Sequence, residues 1–197
     1  MARWSEKIGN IIKYAGEQQG NEHELDSFFI SKAYIPKTEQ EKQEYEEFSL
    51  VSASMAILIH IAKADKVMHP EEISRIIDDL TFQLEQRPFE YESLSEKFGL
   101  KDREIIRNLF DKLLKEYENN LLDLDKIIEI INRIYQNNPE KRYYLIRLCF
   151  YCALSDTELD NSEEQAIKEI AAKLNIPLEE MNRIENEVKA EMEYKKS

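Results

Sequence analysis

Two short acidic segments carry the side chains of this chain that could do chemistry. They run from Ala62 to Glu72 and from Ala153 to Glu163, with a constant offset of 91 residues. In each segment an Ala lies three residues before an Asp, an apolar residue lies three after it, and a Glu lies seven after it. The candidate ligands are all carboxylates: Asp65, Glu72, Asp156, Glu158, Asp160 and Glu163. Carboxylate oxygens are what hard cations prefer, so the segments predict a weak site for Ca²⁺ or another divalent cation.

The number of carboxylates limits what one segment can bind. Ca²⁺ takes about six to eight oxygen ligands, and the first segment offers only Asp65 and Glu72 before water or backbone carbonyls contribute. The second segment has four carboxylates within eight residues and is the better candidate. A complete site therefore needs water, backbone carbonyls or both segments together.

Helix capping is the alternative use of the same residues. Residues 160–163, Asp-Asn-Ser-Glu, have the sequence of a capping box, and Glu72 stands three residues after His69 in the same arrangement. Carboxylates in the first turn of a helix also suit the helix macrodipole. Asp65 and Asp156 could accept hydrogen bonds from N–H groups within their turns. The sequence leaves both uses open.

The elements that position the segments are predicted to be helices. The run from Leu50 to Ala62 is almost charge-free, with His60 its only ionisable group, and a helix that is apolar all round is buried. A helix ending near Ser155 repeats this buried pattern. An amphipathic helix follows each segment, one beginning at Pro70 with His69 as its cap and one over about 161–174.

The remaining periodicity predicts an all-α fold of about seven to nine helices with an internal two-copy helix–turn–helix repeat. A chain with only 4 Gly and 5 Pro has a helical composition, and no strand pattern competes. We predict an N-terminal amphipathic helix and linker over 1–37 and a helical domain over 38–197. The other predicted helices cover residues 2–19, 38–64, 101–119, 121–136, 138–155 and 178–194, with a short element between Pro88 and Gly99.

Charge and cysteine content narrow the class of protein. The net charge of −13 argues against a nucleic-acid partner, because phosphate contacts need clustered Lys and Arg, and favours a cation or a basic protein surface. No stretch approaches a transmembrane length of apolar residues, so we expect a cytoplasmic protein. Cys149 and Cys152 form a C-x-x-C string in the middle of a predicted buried helix, which predicts core residues rather than a redox pair.

The N-terminal helix is the candidate contact with a partner. Trp4, Ile8 and Ile11 fall on one face, while Arg3 and Lys7 add positive charge in an acidic chain. Such a helix could bind a protein partner or lie peripherally on a membrane through residues 3–15. The alternative is that it packs on its own domain.

The doubled segment resembles the TerB-like family, named for tellurite-resistance proteins. The signature of that family is an Ala-Asp-Gly turn, an apolar residue and a Glu seven residues after the Asp, present twice, and Lys66 and Thr157 stand here where the family has Gly. The resemblance spans roughly residues 45–185. It implies a compact all-helical fold with the two Asp-bearing turns near each other. It also implies the roles proposed for the family, which are metal binding and membrane-associated stress complexes.

These observations predict a non-enzymatic interaction or sensing module with a protein partner. No recognisable catalytic constellation is present, and no Gly-rich loop could bind a phosphate. The rival class is a metal-dependent hydrolase that uses the same carboxylates. We rank it second because the acidic turns are expected to face solvent, whereas hydrolases hold their metal in a dry pocket.

Overall fold

A computed structural model describes residues 39–64, 68–85, 102–155 and 159–196. These residues form seven α-helices and no strand. The helices are α1 Glu39–Ala62, α2 Pro70–Glu85, α3 Asp102–Glu118, α4 Leu124–Ile134, α5 Pro139–Ala153, α6 Asn161–Lys173 and α7 Leu178–Lys196. The all-α prediction is confirmed. The helix predicted over 2–19 and the element after Pro88 lie outside the described residues.

Local sequence signals fix several helix ends. α4 begins at Leu124 rather than at 121, because Asp123 caps it and accepts a hydrogen bond at Oδ1 from the N–H of Lys126 at 3.2 Å. Pro139 occupies the first position of α5, where its missing N–H is not needed.

Two helices end in an asparagine with left-handed backbone geometry. Asn120 after α3 and Asn175 after α6 both have a φ of 57°. In each case the next N–H reaches back to a carbonyl five residues earlier, from Leu121 to Glu116 and from Ile176 to Ala171, each at 2.9 Å. This is the Schellman arrangement, which asparagine tolerates better than most residues other than glycine.

One hydrophobic core joins all seven helices. α1 lies at its centre and packs against α2, α3, α4, α5 and α6. The charge-free part of α1 is buried, as predicted, from Ala53 to Ile59 and again at Ile61 and Ala62. None of the described helices has the length and apolar character needed to span a membrane.

The two copies of the repeat interlock. The first copy is α1 and α2, and the second is α5 and α6. α1 packs against α5, while α2 packs on α5 and α6 packs on α1. Each copy is extended by a third helix that packs on both of its members, α3 in the first and α7 in the second. The described residues therefore form two three-helix units whose helix contacts correspond to each other, with α4 packed against α1.

Candidate cation site at the acidic turns

Glu72 is a buried carboxylate in the first turn of α2. Its side chain is only 2% exposed. The backbone N–H of His69 donates a hydrogen bond to Glu72 Oε2 at 2.6 Å. Glu72 therefore caps α2 from the third helical position, as the alternative interpretation of the sequence predicts.

Glu163 occupies the same place in the second unit. It is 6% exposed, and the backbone N–H of Asp160 donates to Glu163 Oε2 at 3.1 Å. Asp160 is the N-cap of α6 and accepts from the N–H of Ser162 at 2.6 Å, which completes a capping box. The hydrogen bonds from Ser162 lower the pKa of the exposed Asp160 carboxyl.

The two buried glutamates act electrostatically on one thiol. Cys152 of α5 is fully buried, and burial is the main cause that raises the pKa of its thiol well above the ordinary value. The negative charges of Glu72 and Glu163 raise the pKa further, as does Asp79 from α2. The charges of the capping carboxylates of both units therefore disfavour ionisation of the same thiol.

The C-x-x-C string is part of the core, as predicted. Cys149 and Cys152 are both buried with reduced thiols. Burial raises the pKa of the Cys149 thiol to about 12. A reactive cysteine needs a lowered pKa and access to solvent, so this pair has the properties of aliphatic core residues.

Sequence reasoning missed a polar network beside the second unit. Arg75 of α2 bonds Asp79 at 2.8 Å, and its guanidinium lies 4.7 Å from the centre of the Tyr151 ring on α5. The Tyr151 hydroxyl donates to Glu191 of α7, and Arg147 pairs with the same carboxylate at 2.9 Å. The spacing of four residues between Arg75 and Asp79 was a visible signal. The partners on α5 and α7 depend on tertiary packing.

The structure describes only part of the predicted ligand set, namely Glu72, Asp160 and Glu163. Asp65, Asp156 and Glu158 lie outside the described residues, as do Lys66 and Thr157. The expectation that the turns face solvent is wrong for Glu72 and Glu163, because the first turns of α2 and α6 pack against the core, and it holds for Asp160. Within the described ranges, no three His, Cys, Asp or Glu side chains converge as a metal site. A full ligand set would therefore have to include Asp65, Asp156 or Glu158.

An all-helical bundle of two interlocked units, each with a buried glutamate capping the helix after an acidic turn, defines the class of protein. The chain matches the family model described as tellurite resistance protein TerB over residues 51–186, and it belongs to that family. The comparison with curated proteins found no match, and the comparison with solved structures found none either.

Proposed function

We propose that this chain is a non-enzymatic sensing and interaction module that binds a divalent cation weakly between its two acidic turns. Ca²⁺ is the first candidate. The observation that supports the proposal is the burial of Glu72 and Glu163, two capping carboxylates at equivalent positions of the repeated acidic segment.

Burial favours the binding of a cation by these carboxylates. Removing a negative charge from water is unfavourable unless positive charge or hydrogen bonds compensate, and a second like charge nearby adds to the cost. Each glutamate receives a hydrogen bond from the backbone N–H of its cap residue. A carboxylate has about four lone-pair directions, so capping and ligation are compatible uses of the same group. A cation between the turns would stabilise both glutamates together with Asp65, Asp156 and Glu158.

Cation binding would also supply a signal. In a chain with a net charge of −13, neutralising the turns changes the local surface potential that a partner meets. We propose a protein partner, with residues 3–15 as the segment that contacts it or a membrane surface, in a stress-response complex of the cytoplasm. The proposal includes no nucleic-acid partner, since the charge is of the wrong sign.

Calorimetric titration with Ca²⁺ tests the cation site. The wild type should release or absorb heat in the millimolar range and melt at a higher temperature with Ca²⁺ than without it. The variants Glu72→Gln and Glu163→Gln keep an oxygen that can accept the cap N–H but remove the charge, and each should weaken binding at least about tenfold. Glu179→Gln, in the exposed first turn of α7, is the matched control and should bind as the wild type does.

Two results would contradict the proposal. The first is the absence of both heat and a melting shift at millimolar Ca²⁺ in the wild type. The second is equal weakening by all three variants, which would mean that Ca²⁺ only screens the overall negative charge.

A further inference from the structure

Residues 60 and 151 are equivalent positions in the two units, and each lies where three helices meet. His60 is in the last turn of α1, and Tyr151 is in the last turn of α5. Each bonds the third helix of its own unit, His60 to Tyr117 of α3 and Tyr151 to Glu191 of α7. The second helix of the other unit packs on each of these helices, α6 on α1 and α2 on α5, where Arg75 lies over the Tyr151 ring. The corresponding contacts of the two units thus create two matched junctions of different chemistry.

The α5 junction holds groups whose charge is constant near neutral pH. Arg75 stacks on the Tyr151 ring, and Arg147 pairs with Glu191 and Glu187. Burial and the neighbouring Glu191 raise the pKa of the Tyr151 hydroxyl. Acidification to about pH 5 leaves the charges of the arginines and of this hydroxyl unchanged.

The α1 junction holds a histidine instead. His60 Nδ1 lies 3.2 Å from the Tyr117 hydroxyl, and the two rings are 5.9 Å apart at an angle of 58°. From α6, Glu169 and Lys173 act on the imidazole with opposite signs. Directly after the end of α1, Lys63 pairs with Glu118 of α3 at 3.3 Å. A titratable ring therefore lies against α3 in the last turn of α1, the helix on which α6 also packs.

We propose that His60 makes the junction of α1, α3 and α6 loosen on acidification, while the matched junction of α5, α7 and α2 stays closed. The device is asymmetric because only one of the two equivalent positions carries an imidazole. The last turn of α1 leads directly into the first acidic turn, so loosening would act on that half of the molecule first.

The direction of the effect follows from the surroundings of the ring. Burial is the main cause that lowers the pKa of His60, with Lys173 adding to it and Glu169 opposing it. The folded state therefore favours the neutral ring. The stability that this preference gives is fully present above the unfolded pKa of about 6.5 and is lost as the pH falls through the lower folded pKa. A protonated ring carries an N–H on both nitrogens, so it keeps the contact at Nδ1 only with the Tyr117 hydroxyl oxygen as acceptor, and its added charge lies in a half-buried site.

Amide hydrogen exchange at about pH 7.5 and about pH 5 tests the proposal, with rates corrected for the intrinsic effect of pH. In the wild type, the last turn of α1 should lose protection at the lower pH, and the last turn of α5 should lose less. Each unit by which the His60 pKa lies below its unfolded value corresponds to a limiting tenfold loss of protection. In His60→Gln, α1 and α5 should lose the same amount of protection at the lower pH. In Tyr151→Phe, the change at the matched position, α1 should still lose more protection than α5.

Equal loss of protection in α1 and α5 of the wild type would overturn the proposal. So would an excess loss in α1 of His60→Gln that is as large as in the wild type. An NMR titration of the wild-type His60 ring requires no variant and serves if His60→Gln does not fold. A His60 pKa below about 6.5 is expected, and a value at or above it would overturn the proposal as well. Neither readout depends on cation binding, so both are measured in metal-free buffer.

Discussion

Glu72 and Glu163 make the same hydrogen bond in two different halves of the molecule. Each carboxylate accepts the backbone N–H of the residue three positions before it, at 2.6 Å and 3.1 Å, and each is buried. Both charges also raise the pKa of the Cys152 thiol. The repeated acidic phrase therefore has a clear structural role, the capping of α2 and α6, and that role buries one carboxylate in each unit.

Removal of the Glu163 side chain should destabilise the fold. Glu163→Ala loses the hydrogen bond to the Asp160 N–H and leaves that donor in need of another partner, so we expect the free energy of unfolding to fall by about 1 to 2 kcal/mol. Urea denaturation measures the change. Gln165→Ala, at an exposed position of the same helix, should change stability by less than about 0.5 kcal/mol. Equal effects of the two substitutions would refute the capping role.

The two thiols should be unreactive in the native protein. Cys149 and Cys152 are buried, and burial raises both thiol pKa values, so little thiolate exists at about pH 8. We expect iodoacetamide to label both residues at the rate at which the protein unfolds, and to label them rapidly in denaturant. Fast labelling of the folded protein would contradict the assignment of these cysteines to the core.

Asn175 offers a test of the backbone at the end of α6. Its φ of 57° is easy for glycine and unfavourable for alanine. Asn175→Ala should lower the free energy of unfolding by about 1 kcal/mol, and Asn175→Gly should leave it nearly unchanged. Thermal melts of the wild type, Asn175→Ala and Asn175→Gly measure these differences in stability. An alanine variant as stable as the glycine variant would show that the Schellman turn does not form.

The helices could be predicted from sequence because their apolar periodicity is strong. α2 begins at Pro70, and α6 and α7 begin at residues 161 and 178, all as the pattern predicts. Apolar spacing alone predicts that α4 begins at residue 121. The helix begins at Leu124 instead, because Asp123 caps its N-terminus. Local chemistry thus corrected the boundary that periodicity alone could not locate.

The surroundings of the site were less predictable. The offset of 91 residues makes Glu72 equivalent to Glu163 and His60 equivalent to Tyr151. It does not predict which helices pack against each other. The burial of the two glutamates follows from the placing of α2 on α5 and of α6 on α1. Likewise, the bond between His60 and Tyr117 joins residues 57 positions apart and has no local sequence signal.

Paramagnetic relaxation with Mn²⁺ tests whether the two acidic turns share one cation site. Mn²⁺ takes the oxygen ligands that Ca²⁺ uses and broadens the NMR signals of nearby amides. At amounts well below one equivalent, we predict simultaneous broadening of the amides that flank both turns, at residues 63–72 and 154–163, and its reversal by excess Ca²⁺. Broadening that is confined to one turn, or that follows the exposed glutamates of α7 instead, would contradict the account.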